Sequence, residues 1–157
     1  MLLLGIAAPP DALDSLAGVA GAASLLGGLV FITSGALKLG PSLSPFPEPS
    51  KSNSLVTTGP YSAVRHPMYT GLLFSAFGLS VLSGSPARLA LTAALFALLQ
   101  VKMDAEEAAL AKLHGGSWEA YAANTPRLVP SVSAVTEAVT EALKSLPETV
   151  KQLTSKA

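Results

Sequence analysis

Two short polar runs interrupt a largely apolar chain, and they carry the side chains best suited to grip a charged ligand. The first contains Tyr61, Arg65, His66 and Tyr69, and the second Asp104, Glu106 and Glu107. About forty residues separate the two runs, yet an up-and-down hairpin between them can make them neighbours in space. Ionisable groups at membrane depth are costly and by default mark function. The competing reading has Arg65 and Lys102 anchoring helix ends at the headgroups, with the glutamates solvated beyond the membrane. The chain has no Cys, which excludes disulfides, thiolate nucleophiles and Cys-ligated metals. No metal is expected.

These residues must be positioned by elements suited to a bilayer. The 157 residues are 50% hydrophobic and only 13% charged, with a mean hydropathy of +0.49, outside the usual range for a soluble domain. Formal net charge is zero, and Lys and Arg are scattered singly. Without a basic stripe, nucleic acid is not expected as a partner. Residues 1–10 lack a basic n-region and are expected to be neither signal nor transit peptide.

The expected fold is all-α: one spanning helix, then a helical hairpin, then an amphipathic C-terminal helix. Residues 15–37 carry no charge, long enough to cross about 30 Å of hydrocarbon. Within them Gly21, Gly28 and Gly35 recur at heptad spacing, a pattern that lets a neighbouring helix approach closely. Residues 41–54, rich in Pro and Ser, cannot continue a helix. Two apolar arms follow, 67–87 and 89–101, with their turn at Gly84, Ser85 and Pro86. Both arms are short for a bilayer, so their flanks at His66 and Glu106 are pulled to headgroup level, and an up-and-down hairpin returns them to the same side. The helix is expected to continue from Lys102 to Leu113 and to end at Gly115 and Gly116. In residues 132–153, Val132, Val135, Val139, Leu143, Leu146, Val150 and Leu153 repeat at three- and four-residue steps, an apolar stripe for a membrane surface or a protein partner. The divisions are thus 1–14 as a tail, 15–130 as the membrane domain and 131–157 as an appendage. Lys38, Lys51 and Arg65 place the loop after the first helix on the cytoplasmic or equivalent side.

At these residues the sequence resembles the isoprenylcysteine carboxyl methyltransferase-like and phospholipid methyltransferase-like family. The stretch LVTTGPYSAVRHPMYTG, Leu55 through Gly71, looks like the family's LVTxGPYxxxRHPxYxG block. Glu106, Glu107 and Leu110 match its EExxL block, and Gly115, Trp118, Tyr121, Pro126, Arg127 and Pro130 match FGxxYxxYxxxVPRxxP. His114 and Trp118 depart from it, standing where Phe and Tyr are common, which bears on acceptor fit rather than on fold. The resemblance implies an integral, multi-pass membrane methyltransferase that uses S-adenosylmethionine without a Rossmann sheet, and the chain has no glycine-rich strand-to-helix turn. It further implies Arg65 and Glu106 as catalytic residues, and Tyr61, His66, Pro67, Tyr69, Gly71, Glu106, Glu107 and Arg127 as cofactor-binding ones.

Other roles stand beside these. Pro67 and Gly71 suit backbone shaping, Tyr61 and Tyr69 an interfacial belt, and Trp118 and Tyr121 packing at the membrane surface. Membrane lipids and a lipid-like or prenylated acceptor are the implied partners, with a protein partner at 131–157; an organelle membrane is one setting. The rival reading is a non-catalytic membrane subunit that keeps the fold within a larger complex.

Overall fold

The computed structural model describes residues 16–40 and 54–130. The tail at 1–14, most of the proline-rich segment and the amphipathic repeat at 131–157 lie outside them. The described residues are helical, without strands: α1 Leu16–Leu39, α2 Pro60–Ala63, α3 Pro67–Leu82, α4 Pro86–His114 and α5 Gly116–Asn124.

Each helix boundary has a local cause. Pro67 opens α3 and Pro86 opens α4, where a missing N–H loses nothing. Between them the chain reverses through Ser83, Gly84 and Ser85, with Gly84 at φ +56°, a left-handed conformation that glycine adopts freely. The Ser85 hydroxyl caps α4 by accepting from the Arg88 N–H. The expected termination at two glycines is modified: Gly115, at φ +52°, breaks α4, but Gly116 already begins α5.

The spans differ in length. At 24 and 29 residues, α1 and α4 reach about 36 and 43 Å, whereas the 16 residues of α3 give only about 24 Å. Among the described residues, only α1 and α4 are long and apolar enough to cross a bilayer unaided. Their outward faces are apolar: Val19, Leu26 and Val30 on α1, and Leu91, Leu98 and Val101 on α4, are exposed. In water such surface would cost about 25 cal/mol per Å²; against lipid tails it costs nothing. The protein is a helical membrane protein.

What holds α3 is close backbone contact with α1. Gly21, Gly28 and Gly35 are the buried positions of α1 together with Gly18, and they meet Gly78, Gly71 and Met68 of the antiparallel α3. A Cβ at Gly71 would strike the Gly28 carbonyl and Ile32, and one at Gly78 would strike the Gly21 carbonyl. The heptad glycines are therefore a packing seam, as membrane helices use small residues where lipid offers no hydrophobic drive. Ser24 adds a hydrogen bond to the Phe74 carbonyl at 2.8 Å, and Phe31 meets Phe74 edge to face. On the other side of α3, the Ser80 and Thr92 hydroxyls pair at 3.1 Å near the hairpin turn. At its base Leu99, Met103 and Leu128 form a buried cluster flanked by Tyr69, Leu73 and Leu95.

Candidate functional site

The hairpin returns α4 to the start of α3, and the two polar runs meet there. Arg65 and His66 lie in the extended link before α3, held by the segment that follows α5: the Arg65 N–H donates to the Pro126 carbonyl at 2.8 Å and the His66 N–H to the Arg127 carbonyl at 3.2 Å. Glu106 and Glu107 sit beyond the apolar part of α4. Tyr69 is one turn into α3.

Glu107 is the hub. Its Oε2 accepts from Arg65 Nη1 at 2.9 Å and from Arg127 Nη2 at 2.8 Å. Its Oε1 accepts from Arg127 Nε at 3.0 Å and lies 2.9 Å from His66 Nε2. Arg127 thus grips the carboxylate with two parallel bonds, the strong fork geometry, while its Nη1 reaches Asp104 at 2.8 Å and Gln100 at 3.3 Å. Glu106 is less occupied: Oε1 accepts from the Tyr69 hydroxyl at 2.5 Å and pairs with Lys102 at 3.1 Å, while Oε2 lies 3.7 Å from His66 Nδ1. The His66 and Tyr69 rings stack at 5.5 Å with 14° between planes.

Electrostatics follow from burial and neighbours. Desolvation lowers the His66 pKa below its ordinary value, outweighing the upward pull of Glu107 and Glu106. The Glu107 hydrogen bonds raise that of Arg127, which stays charged. Burial pushes the Tyr61 phenol up, and Tyr121 up to about 12, so both remain neutral.

The arrangement gathers Arg65, His66, Tyr69, Glu106, Glu107 and Arg127 into one cluster. Tyr61 is buried, and the Tyr121 hydroxyl donates to its carbonyl at 2.6 Å, tying α5 to α2. Trp118 is buried too and packs edge to face on Tyr121 at 5.7 Å, so this pair braces α5. Pro67 and Gly71 are outside the cluster. Gly71 faces Gly28 and Pro67 faces Gly35, so both serve the α1–α3 seam. Three contributors were not among the sequence-derived site residues: Lys102, Asp104 and Gln100. Asp104 stood in the second polar run, and Gln100 was one of only two polar residues in the apolar run before it.

Beside the cluster lies an apolar cavity of about 490 Å³ between α3 and α4, lined by Leu73, Phe74, Phe77 and Phe96 and reaching Thr70 and Leu128. Thr70 and Leu128 adjoin Tyr69 and Arg127 in sequence, and the Thr70 hydroxyl donates to the Leu128 carbonyl at 2.7 Å. One wall therefore separates charged cluster from apolar space.

Known proteins resemble part of the chain. It is 36% identical over 83 residues to the nickel-cobalt-cadmium resistance protein NccN of Alcaligenes xylosoxydans xylosoxydans, which is 53% of this chain and 39% of that one. It is 36% identical over 83 residues to the cobalt-zinc-cadmium resistance protein CzcN of Cupriavidus metallidurans, covering 53% and 38%. It is 33% identical over 84 residues to the protein-S-isoprenylcysteine O-methyltransferase of Schizosaccharomyces pombe, covering 53% and 36%. The match thus spans well under half the length of each of these relatives. No solved structure matches. Residues 16–117 fit the family model for phospholipid methyltransferase, which takes in α1, both arms of the hairpin and the Glu106–Glu107 pair, so the chain belongs to the phospholipid methyltransferase family.

Proposed function

We propose that this protein transfers a methyl group from S-adenosylmethionine to a lipid-like or lipidated acceptor at the membrane surface. The observation that carries the reading is the junction just described, a charged cluster of both signs beside an apolar cavity among membrane helices. Small-ligand sites have this form, an apolar concavity of some 300–1,000 Å³ with a few fixed polar groups.

The residues fit the cofactor. Arg65 Nε is buried without a hydrogen-bond partner, a donor left for an incoming carboxylate. Glu106 Oε2 accepts no hydrogen bond among the described residues and suits an ammonium. The flat faces of His66 and Tyr69 suit a cationic or aromatic group. When bound, S-adenosylmethionine supplies a sulfonium-activated methyl, which needs no protein nucleophile. The protein's part is to orient the ligands and exclude water. Glu107 fixes Arg65 and Arg127, the Thr125–Pro130 segment closes the base of the hairpin, and the cavity takes the acceptor's apolar chain. In this arrangement Glu107 is a positioning residue, because three protein groups already occupy its oxygens, and Glu106 has the open one.

The test is binding of radiolabelled S-adenosylmethionine to the full chain purified in detergent, followed by methyl transfer to phosphatidylethanolamine vesicles and to a prenylated cysteine. Binding with transfer to either acceptor supports the reading. Binding without transfer to any lipid favours a non-catalytic membrane subunit, a reading that gains from the resistance names of two relatives. Absence of binding removes the methyltransferase reading.

A further inference from the structure

The chain leaves the described residues at the mouth of the apolar cavity. Leu128 and Val129 both line it, Leu128 pinned inward by the Thr70 bond to its carbonyl and Val129 standing 71% exposed beside it. Pro130 follows. On the α4 wall, exposed Phe96 lies four residues, about 6 Å, from Gln100 along the helix. Gln100 bonds Arg127 in the charged cluster. The mouth therefore sits where hydrocarbon gives way to water, and the apolar surface of Val129 is costly there. Phe77 and Leu89, farther along the cavity, are exposed at hydrocarbon depth instead.

The residues that come next have the pattern to cover this mouth. In 131–146, which lie outside the described residues, Val132, Val135, Val139, Leu143 and Leu146 repeat at three- and four-residue steps. Wound as a helix, they share one face, and Glu137, Glu141 and Lys144 fall on the opposite one. Pro130 suits the first helical position. A helix of this kind carries its apolar face about 5–10 Å into the boundary layer, the depth of Phe96. Packed helices have axes about 8–10 Å apart, so six or seven helical residues cross from α3 to α4 and bring Val135 and Val139 to Phe96. Anionic lipid is a poor competitor, because Lys144 and Lys151 are offset by Glu137, Glu141 and Glu148. A separate protein, a second copy included, must outbid a segment joined to Val129 through Pro130, whose effective concentration is on the order of millimolar.

We propose that residues 131–146 fold back as a helix across the mouth of the cavity and seal it from water. Val135 and Val139 cover Val129 and Phe96, and the two glutamates stay in water. Phe77 and Leu89 remain open to lipid. The seal keeps apolar space dry beside the charged cluster, whether or not the protein transfers methyl groups.

The chain has no cysteine, so introduced pairs report without background. Full-length Phe96→Cys chains carrying a second cysteine in place of Val135, Glu137, Val139 or Glu141 are reconstituted in phosphatidylcholine vesicles and oxidised. Intrachain disulfides should form with Val135→Cys and Val139→Cys at least about tenfold faster than with Glu137→Cys and Glu141→Cys. A second measurement labels Val129→Cys alone with a water-soluble maleimide. Adding Val135→Asp and Val139→Asp should speed that labelling at least about tenfold. Disulfide rates that ignore the apolar face overturn the seal, and disulfides that join only separate chains assign the mouth to a second copy and overturn it too. Protection of Val129→Cys with no disulfide to Phe96→Cys puts the stripe on the lipid surface, against the proposal. Equal labelling with and without the aspartates also overturns it, even where a cysteine pair fails to fold. Neither readout involves methyl transfer, so either outcome leaves the methyltransferase reading to its own test.

Discussion

The Thr70 hydroxyl and the Leu128 carbonyl, 58 residues apart in sequence, are joined by a 2.7 Å hydrogen bond sealed from solvent. This bond pins the segment carrying Arg127 to the second turn of α3. Thr70→Val keeps the shape and removes the donor, leaving the carbonyl buried and unpaired, at a cost of about 1–3 kcal/mol. Thermal unfolding in detergent reads the loss. A variant as stable as the parent shows that Arg127 and the two backbone bonds at Arg65 and His66 hold the segment alone.

Glu107→Gln replaces the hub with a neutral amide facing two guanidiniums. The expected result is a folded but less stable protein, with affinity for S-adenosylmethionine reduced about ten- to hundredfold because Arg65 and Arg127 lose their anchor. Equal affinity in parent and variant would show that the Arg65 orientation is set by backbone bonds instead.

The seam between α1 and α3 gives a matched pair of substitutions. A methyl at Gly71 runs into the Gly28 carbonyl and Ile32, whereas one at Gly27 meets nothing within 4 Å. Gly71→Ala should destabilise by about 1–3 kcal/mol through overpacking, and Gly27→Ala should be neutral within about 0.5 kcal/mol. Similar losses for both would mean that the close approach to α1 is not what sets Gly71 apart, since helix propensity alone favours Ala at either position.

Acid should destabilise the protein through His66. Its pKa is lower in the folded chain than the ordinary 6.5, so below that value the unfolded chain binds a proton that the native state refuses. Stability from this group is complete above about pH 6.5 and is lost as pH falls through the lower, folded-state value. Thermal midpoints measured from about pH 7.5 down to about pH 5 should decline less in His66→Gln than in the parent. Parallel declines would assign the acid sensitivity to other groups.

The helices were legible because their causes are local. Charge-free runs set α1 and the two hairpin arms, and Gly84 set the turn. The approach of His66 to Glu107 followed from chain reversal alone. What sequence could not supply was the third part of the site, the segment after α5. Its backbone bonds to Arg65 and His66 join residues some sixty positions apart and have no periodic signature, so Arg127 was found through motif resemblance rather than through geometry. The division of labour between the glutamates was also hidden. They are adjacent and chemically identical, and only the positions of Arg65, Arg127 and Lys102 leave one saturated and the other half open. Gly71 and Pro67 sit within the same motif as His66, yet face the opposite way, because a helix beginning at Pro67 turns successive residues toward different neighbours.

Where two helices meet at glycines, the backbones approach so closely that the few side chains between them, Ser75 and Ile32 among them, have little room to change rotamer. The crossings at Gly21 and Gly28 therefore leave α1 and α3 little room to shift against each other. Contact between α3 and α4 rests instead on side chains, with the Ser80–Thr92 hydroxyl pair near the turn and the Tyr69–Glu106 bond at the base. Phe77, Leu89 and Phe96 line the cavity and are exposed on the outer face, so an apolar chain can enter it sideways without displacing α4. Loading the cavity therefore leaves the bonds at Glu106 and Glu107 undisturbed.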